Sequence, residues 1–247
     1  MRNFWDKWQR YGWFSPKEWT AFLIVVLGLG LVESWGLWGS KDFDVIAGLK
    51  NWIYWSILCT IVVFVHHAAQ RFAALQMGFK LEHKLWWNGM IFSFIGAILS
   101  GGKFAFLAVT STHEQLMMIH RLGAFRFGAN LVTLAKIAMS GPIANMIFAG
   151  LVGALGGMGI IGTAFAANLF WLSAAFALWN MLPIPPLDGA KIFYWSRYLY
   201  FWVFFSLIIY GLVALVFGAF GFAYPIAVAF GLGATYVFVN TAAKGWN

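Results

Sequence analysis

The stretch VFVHHAAQRF, residues 63–72, decides the fold, because it places the adjacent histidines His66 and His67 near the end of a long apolar run. That run, residues 52–72, has the length of about 20 residues that a helix needs to cross a bilayer. An ionisable side chain in such a helix is costly to bury, and it indicates either function or a buried polar partner. The stretch therefore predicts a membrane-spanning helix with a polar centre.

Composition extends this prediction to the whole chain of 247 residues. Hydrophobic residues make up 62% of it and charged residues only 10%, whereas soluble domains carry roughly 25% charged residues. The net charge of +8 is spread along the chain, and no basic cluster is dense enough to neutralise several phosphates of a nucleic acid. Basic flanks are instead attracted to anionic lipid. We predict an integral membrane protein with the lipid bilayer as a partner and no nucleic acid.

The apolar runs predict an all-α polytopic membrane protein with six or seven transmembrane helices. The third run is too short for a comfortable crossing. Together with the strand-like FAFLAV at 104–109 it predicts a short re-entrant or strand element, which membranes tolerate only where it is buried in protein or beside water. The runs are residues 19–38, 52–72, 87–99, 129–155, 160–182, 198–217 and 222–239.

The segment before the first run, residues 1–17, separates aromatic from basic side chains on a helix. This pattern is typical of an amphipathic helix on the membrane surface, although a plain basic tail fits it equally well. Residues 18–247 are expected to form a single transmembrane domain. Basic residues are frequent in 1–17 and after the second run, whereas they are balanced by acids in 39–51. The N-terminus is therefore predicted on the cytoplasmic side of the cell membrane.

Asp188 lies in the segment NMLPIPPLDG, residues 180–189, which contains three prolines. Because proline lacks an N–H and clashes with the preceding turn, this segment cannot continue a regular helix. We expect it to unwind at membrane depth. There the carboxylate would be ready to coordinate a cation; equally, the segment could be a loop that caps a span at the membrane edge.

Three stretches together resemble the site-2 protease family of intramembrane zinc proteases. In that family one helix carries HExxH with a downstream Ala and Gly, and a later helix carries GPxxN. A third segment, Asn–Pro-rich–Asp–Gly, supplies an aspartate zinc ligand. The resemblance covers about residues 55–195 and leaves 196–244 as extra C-terminal helices, and the Gly-Gly before FAFLAV is similar to archaeal branches of the family. The matching residues, in the family's order, are His66, Ala74 and Gly78, then Gly141, Pro142 and Asn145, then Asn180, Pro183, Pro185, Pro186, Asp188 and Gly189.

The chain departs from the family at two chemical positions, so that HExxH becomes HHAAQ. His67 stands where the family has its glutamate general base, and Gln70 stands where it has its second histidine ligand. An amide is a poor zinc ligand beside imidazole or carboxylate, and peptide hydrolysis at zinc needs a base for the bound water. The metal set implied by the resemblance is thus degenerate. It consists of His66, Gln70 and Asp188, with His67 at the base position and Asn145 and Asn180 as further site residues.

Three functions remain open on the sequence. In the first, proteolysis and zinc are lost, and the protein binds transmembrane segments of other membrane proteins or is a subunit of a membrane complex. In the second, it is an atypical zinc protease with His67 as base. In the third, His66 or His67 binds haem or copper, although His83, His113 and His120 fall in connecting segments. The two histidines could also simply hydrogen-bond to polar groups of neighbouring helices.

Overall fold

The computed structural model describes residues 2–39, 42–117, 130–217 and 223–244. Apart from one two-stranded antiparallel sheet, the elements in these parts of the chain are helical, which confirms the predicted all-α class. Residues 118–129, which include His120, and residues 218–222 lie outside the described residues. The elements are α1 (Arg2–Tyr11), α2 (Pro16–Ser34), a 3-10 turn (Trp35–Leu37), α3 (Val45–Gln76), β1 (Phe79–Leu85), α4 (Trp87–Ser100), β2 (Thr110–Leu116), α5 (Leu131–Gly157), α6 (Thr163–Asn180), α7 (Asp188–Trp195), α8 (Arg197–Phe217) and α9 (Ala223–Lys244).

Four segments of the described chain are long and apolar enough to cross a membrane: Pro16–Leu37, Val45–Gln76, Leu131–Gly157 and Arg197–Val216. They give the fold of a polytopic membrane protein. This is fewer than the six or seven spans predicted, in part because α4 has only 14 residues, and a helix of that length reaches about 21 Å of a roughly 30 Å hydrocarbon core.

Side-chain caps set where the long helices begin. The Asp44 carboxylate accepts hydrogen bonds from the backbone N–H groups of Ile46 and Ala47, so α3 begins at Val45 rather than at the predicted residue 52. With 32 residues, α3 is about 48 Å long and extends beyond the apolar layer of a bilayer. Asn130 caps α5 in the same way.

The two-stranded sheet does not include the strand-like segment that the sequence indicates. The sequence predicts a short re-entrant or strand element over the third run and the strand-like residues 104–109; residues 104–109 themselves form no strand, and the strand begins after them as β2. β2 pairs antiparallel with β1, with Phe79 opposite Leu116 and Leu85 opposite Thr110. The sequence misleads here because residues 106–109 are all buried in the core, so their apolar character reflects packing on every side rather than pairing in a sheet.

The helices pack around α3 and α5. α3 contacts α2 on one side and α5 on the other, while α5 also packs against α6 and α7. The two-stranded sheet contacts this bundle at α7, because the Lys191 ammonium binds the Glu114 carboxylate and the Thr112 hydroxyl of β2. One apolar core joins α2, α3 and α6, and a second joins α5, α7 and α8.

Glu18, in the first turn of α2, joins three elements through one buried carboxylate. Its Oε2 accepts from the Ser15 N–H as part of a capping box. Its Oε1 accepts from the backbone N–H of His83 on β1 at 3.0 Å and pairs with the guanidinium of Arg71 on α3. Both members of the ion pair are buried. Removing one partner of such a pair leaves the other charge uncompensated in an apolar environment.

We predict that Glu18→Gln lowers the free energy of unfolding by about 3–5 kcal/mol, the usual cost of breaking a buried ion pair. The matched control is Asp6→Asn, which removes the exposed Asp6–Arg10 pair of α1 and should cost less than about 1 kcal/mol. The chain's single cysteine, Cys59, is buried, so its reaction with a fluorogenic maleimide during heating in detergent reports unfolding of both variants. Equal losses in the two variants would contradict the role assigned to Glu18.

Candidate functional site

The segment before Asp188 turns the chain back into the bundle. Residues 181–187 are not helical, as the prolines predict, and α7 begins at Asp188 itself. Gly189 makes this turn possible, because a Cβ at this position would lie well within 3.0 Å of the Met181 carbonyl oxygen at the end of α6. The close approach leaves the Asp188 side chain buried inside the protein rather than at its edge.

Asp188 meets two residues of α3. His66 Nε2 lies 2.9 Å from Asp188 Oδ2, and Gln70 Nε2 donates to the same oxygen at 2.8 Å. His66 and Gln70 are four residues apart, so they share one face of α3. All three side chains are buried. The structure thus brings together the three residues that the resemblance implies as the metal set, and joins them by hydrogen bonds.

Asn145 of α5 completes the surroundings of His66. Its Nδ2 lies 3.5 Å from His66 Nδ1. With the Asn145 amide oriented in this way, Nδ1 accepts, so that Nε2 carries the proton and donates to Asp188. Gly141, one turn earlier, provides the room, since a Cβ there would lie well within 3.0 Å of His66 Nε2. Asn180 is not drawn into this cluster; its amide donates to Phe176 O within α6 at 2.8 Å.

His67 lies apart from this cluster. Its ring centroid is 6.1 Å from that of His66, and it packs edge-on against Phe22 of α2. It also stacks on His83, with ring centroids 3.8 Å apart. Neither ring nitrogen of His67 has a hydrogen-bond partner among the described residues. The side chain that the resemblance places at the base position is therefore packed as an aromatic ring and is not hydrogen-bonded to His66, Gln70 or Asp188.

His83 is the site residue that the sequence did not reveal. It lies on β1, yet it is buried, and its Nε2 is 3.3 Å from Gln70 Oε1. Because a carbonyl oxygen only accepts, His83 donates from Nε2 and holds the Gln70 amide with its NH₂ group towards Asp188. Burial, then the charge of Arg71, lowers the pKa of His83 well below its usual value, so the ring is neutral. Its alternating position in FKLEHKL, with Phe79 and Leu81 also inward, is the signal that could have placed it.

The donor set does not fit an ordinary zinc site. Such sites take at least three protein ligands from histidine, cysteine and carboxylates. Here the cluster offers one imidazole and one carboxylate, and Gln70 presents its N–H rather than its oxygen to Asp188. Within the ranges that the structure describes, no group of three His, Cys, Asp or Glu side chains is arranged to hold a metal ion.

Fold and site together define a multi-pass helical membrane protein with a buried histidine–glutamine–aspartate cluster at its centre. The chain is similar to a protein of Methanocaldococcus jannaschii named "Putative zinc metalloprotease MJ0611", with 28% identity over 198 residues that cover 76% of this chain and 88% of the relative. This similarity supports a zinc-metalloprotease-like family for the chain. No family model matches the chain, and no solved structure matches it.

We predict that Gly141→Ala pushes His66 away from Asp188 and lowers the free energy of unfolding by about 1–3 kcal/mol, the usual cost of overpacking a close contact. The control is Gly157→Ala in the same helix, where an added Cβ meets nothing within 4 Å and no loss is expected. Thermal unfolding followed through Cys59 compares the two variants. If Gly141→Ala were as stable as Gly157→Ala, the packing of His66 against α5 would be wrong.

Proposed function

We propose that this protein has the framework of a site-2 protease, over about residues 55–195, with a centre that no longer hydrolyses peptides. One observation carries the proposal: the Asp188 carboxylate is bound by His66 and Gln70 of the same chain. These two hydrogen bonds provide the buried carboxylate with polar partners from the protein itself, as buried polar groups require. The cluster is therefore a self-contained structural link between α3 and α7.

The position of His67, the candidate general base, supports the loss of proteolysis. A general base must lie within hydrogen-bond reach of the water it activates, or reach it through one further water. His67 instead stacks on His83 and forms no hydrogen bond to the cluster. Glu18 is paired with Arg71 and Glu114 with Lys191, so neither of these carboxylates is free to act as the base in its place.

The retained role that we propose is the binding of transmembrane segments of other membrane proteins, either as free partners or as fixed subunits of a complex. The unwound segment 181–187 supports this, since it lies directly before Asp188 and is present although the chemical positions are altered. We also place the N-terminus on the cytoplasmic side of the cell membrane. The Glu18–His83 contact puts the basic N-terminal segment and the basic strand β1 at one end of the bundle, which fits a single basic, cytoplasmic face.

The atypical zinc protease remains the second candidate, and one observation favours it besides the name of the relative. Asn145 Oδ1 is buried without a hydrogen-bond partner in its present orientation. Rotating this amide would let Oδ1 accept from His66 Nδ1–H, the arrangement in which a histidine offers Nε2 to a metal. The redox alternative has no such support: His113 is exposed on β2, and a visible absorption spectrum of the purified protein tests for haem.

We predict that the wild-type protein, purified in detergent without added metal, contains only substoichiometric zinc, whereas the double variant His67→Glu/Gln70→His contains about one zinc per chain. The double variant restores the family's base and second imidazole, and adding Asp188→Ala to it should remove the zinc again. Elemental analysis measures the zinc content of all three proteins, and a second experiment compares their cleavage of a transmembrane reporter. Stoichiometric zinc in the wild type that is lost in Asp188→Ala would overturn the proposed loss of the metal.

We also predict protein contacts near the cluster. A photoreactive amino acid at Ile184, which is exposed in the segment before Asp188, should crosslink to a membrane protein in native membranes. The same group at Leu215, which is exposed on α8, should crosslink to lipid. Mass spectrometry identifies the adducts. Lipid adducts alone at Ile184, or the same protein adducts at both positions, would count against a binding role for this segment.

A further inference from the structure

A cleft of about 560 Å³ lies between the start of α2 and the strand β1. We call it the α2–β1 cleft. It is separate from the cluster around Asp188, from which the buried His83 ring divides it. Its lining residues are Ser15, Lys17, Glu18, Thr20, Ala21 and Ile24 from α2 and the turn before it, and Glu82, His83, Lys84, Leu85 and Trp87 from β1 and the start of α4.

One exposed tryptophan, Trp87, lines the cleft, and two more lie close in the sequence to the residues of its α2 wall. Trp13 precedes α2, Trp19 lies in its first turn, and Trp87 opens α4; all three are exposed. Indole rings favour the headgroup zone of a bilayer, where the ring is partly buried and the N–H remains hydrated. Because α2 begins here and runs on as a spanning helix, the cleft lies at a membrane–water interface and faces lipid headgroups.

The free charges of the cleft are positive. Its two carboxylates are neutralised by neighbours, Glu18 by Arg71 and Glu82 by Lys80. Its two cations, Lys17 and Lys84, are exposed and form no ion pair with any residue that the structure describes. One lysine comes from each wall. A single anionic group between the walls could therefore contact both ammonium groups, and its own charge would be compensated.

The cleft changes from polar to apolar along α2. Lys17, Thr20, Ala21 and Ile24 follow at spacings of three and four residues, so they form one stripe on this helix. The stripe leads from an ammonium group at the helix start to an aliphatic side chain two turns deeper in the membrane. On the opposite wall Lys84 is followed by Leu85 and Trp87. An occupant that fits both ends has a charged head and an apolar tail.

We propose that the α2–β1 cleft binds an anionic glycerophospholipid, with the phosphate between Lys17 and Lys84 and an acyl chain along Ile24 and Trp87. The chemistry of the walls selects this occupant over two others. Inorganic phosphate would use the lysines but leave the apolar end of the cleft unfilled. A zwitterionic lipid would bring its own cation next to the two lysines, where like charges repel.

The test is native mass spectrometry of the detergent-purified full chain, titrated with dioleoyl phosphatidylglycerol or dioleoyl phosphatidylcholine. We expect the wild type to prefer phosphatidylglycerol, and Lys17→Gln/Lys84→Gln to bind it at least about tenfold more weakly. The matched control is Lys50→Gln/Lys103→Gln, which removes the same charge from exposed lysines at the other end of the bundle and should keep the wild-type affinity. Thermal unfolding, followed by the reaction of Cys59 with the fluorogenic maleimide, verifies that every variant is folded.

A second pair of variants tests the apolar part without changing charge. Ala21→Trp fills the cleft and should abolish the preference for phosphatidylglycerol, whereas Leu23→Trp, on the exposed surface of α2, should preserve it. Inorganic phosphate at millimolar concentration should not displace the bound lipid.

Three results would overturn the proposal: equal binding of the two lipids by the wild type, equal losses in the two lysine double variants, or displacement of the lipid by inorganic phosphate. Retained preference in folded Ala21→Trp would likewise exclude the cleft as the site. None of these results depends on the zinc content of the protein, so the lipid site and the proposed loss of proteolysis fail or stand independently.

Discussion

The Asp188 carboxylate is buried inside the helical bundle, and the need to satisfy it with groups of the protein organises the centre of the fold. An ionised group in an apolar environment is very costly unless hydrogen bonds or opposite charges compensate it. His66 and Gln70 supply both bonds from a single face of α3. α5 must then approach closely enough for Asn145 to contact His66, which is possible because position 141 has no side chain. The contacts among α3, α5 and α7 are thus centred on one buried carboxylate.

A second buried charge organises the end of the bundle where α2 begins. Glu18 binds the turn before α2, the Arg71 guanidinium of α3 and the backbone of β1. The two polar centres are continuous, because His83 stands between them and donates to Gln70. Connected polar groups of this kind favour one arrangement of the helices, and Arg71 Nε, His83 Nδ1 and Asn145 Oδ1 are buried atoms of these groups without a hydrogen-bond partner among the described residues. His66, Gln70 and Asp188 therefore have a structural role, because they join α3 to α7.

The sequence predicted much of this arrangement because the governing signals are local. Apolar runs located the long helices, and the prolines before Asp188 located the break. The resemblance named His66, Gln70 and Asp188 as one set. The start of α3 and the strands β1 and β2 were missed. A single capping aspartate moves the helix boundary, and residues 104–109, of which 106–109 are buried, have the composition of a strand without being one. His83 was missed since it reaches the site through tertiary packing rather than through a motif.

Lys191 links the two-stranded sheet to the helix that carries Asp188. It lies three residues after Asp188, on the single short helix α7, and it holds Thr112 and Glu114 of β2. α7 has eight residues, and Lys191 and Asp188 lie within one helical turn of each other, so the side chain that binds β2 and the side chain that binds α3 belong to the same turn. A displacement of the two strands would therefore act directly on the helical turn that carries Asp188.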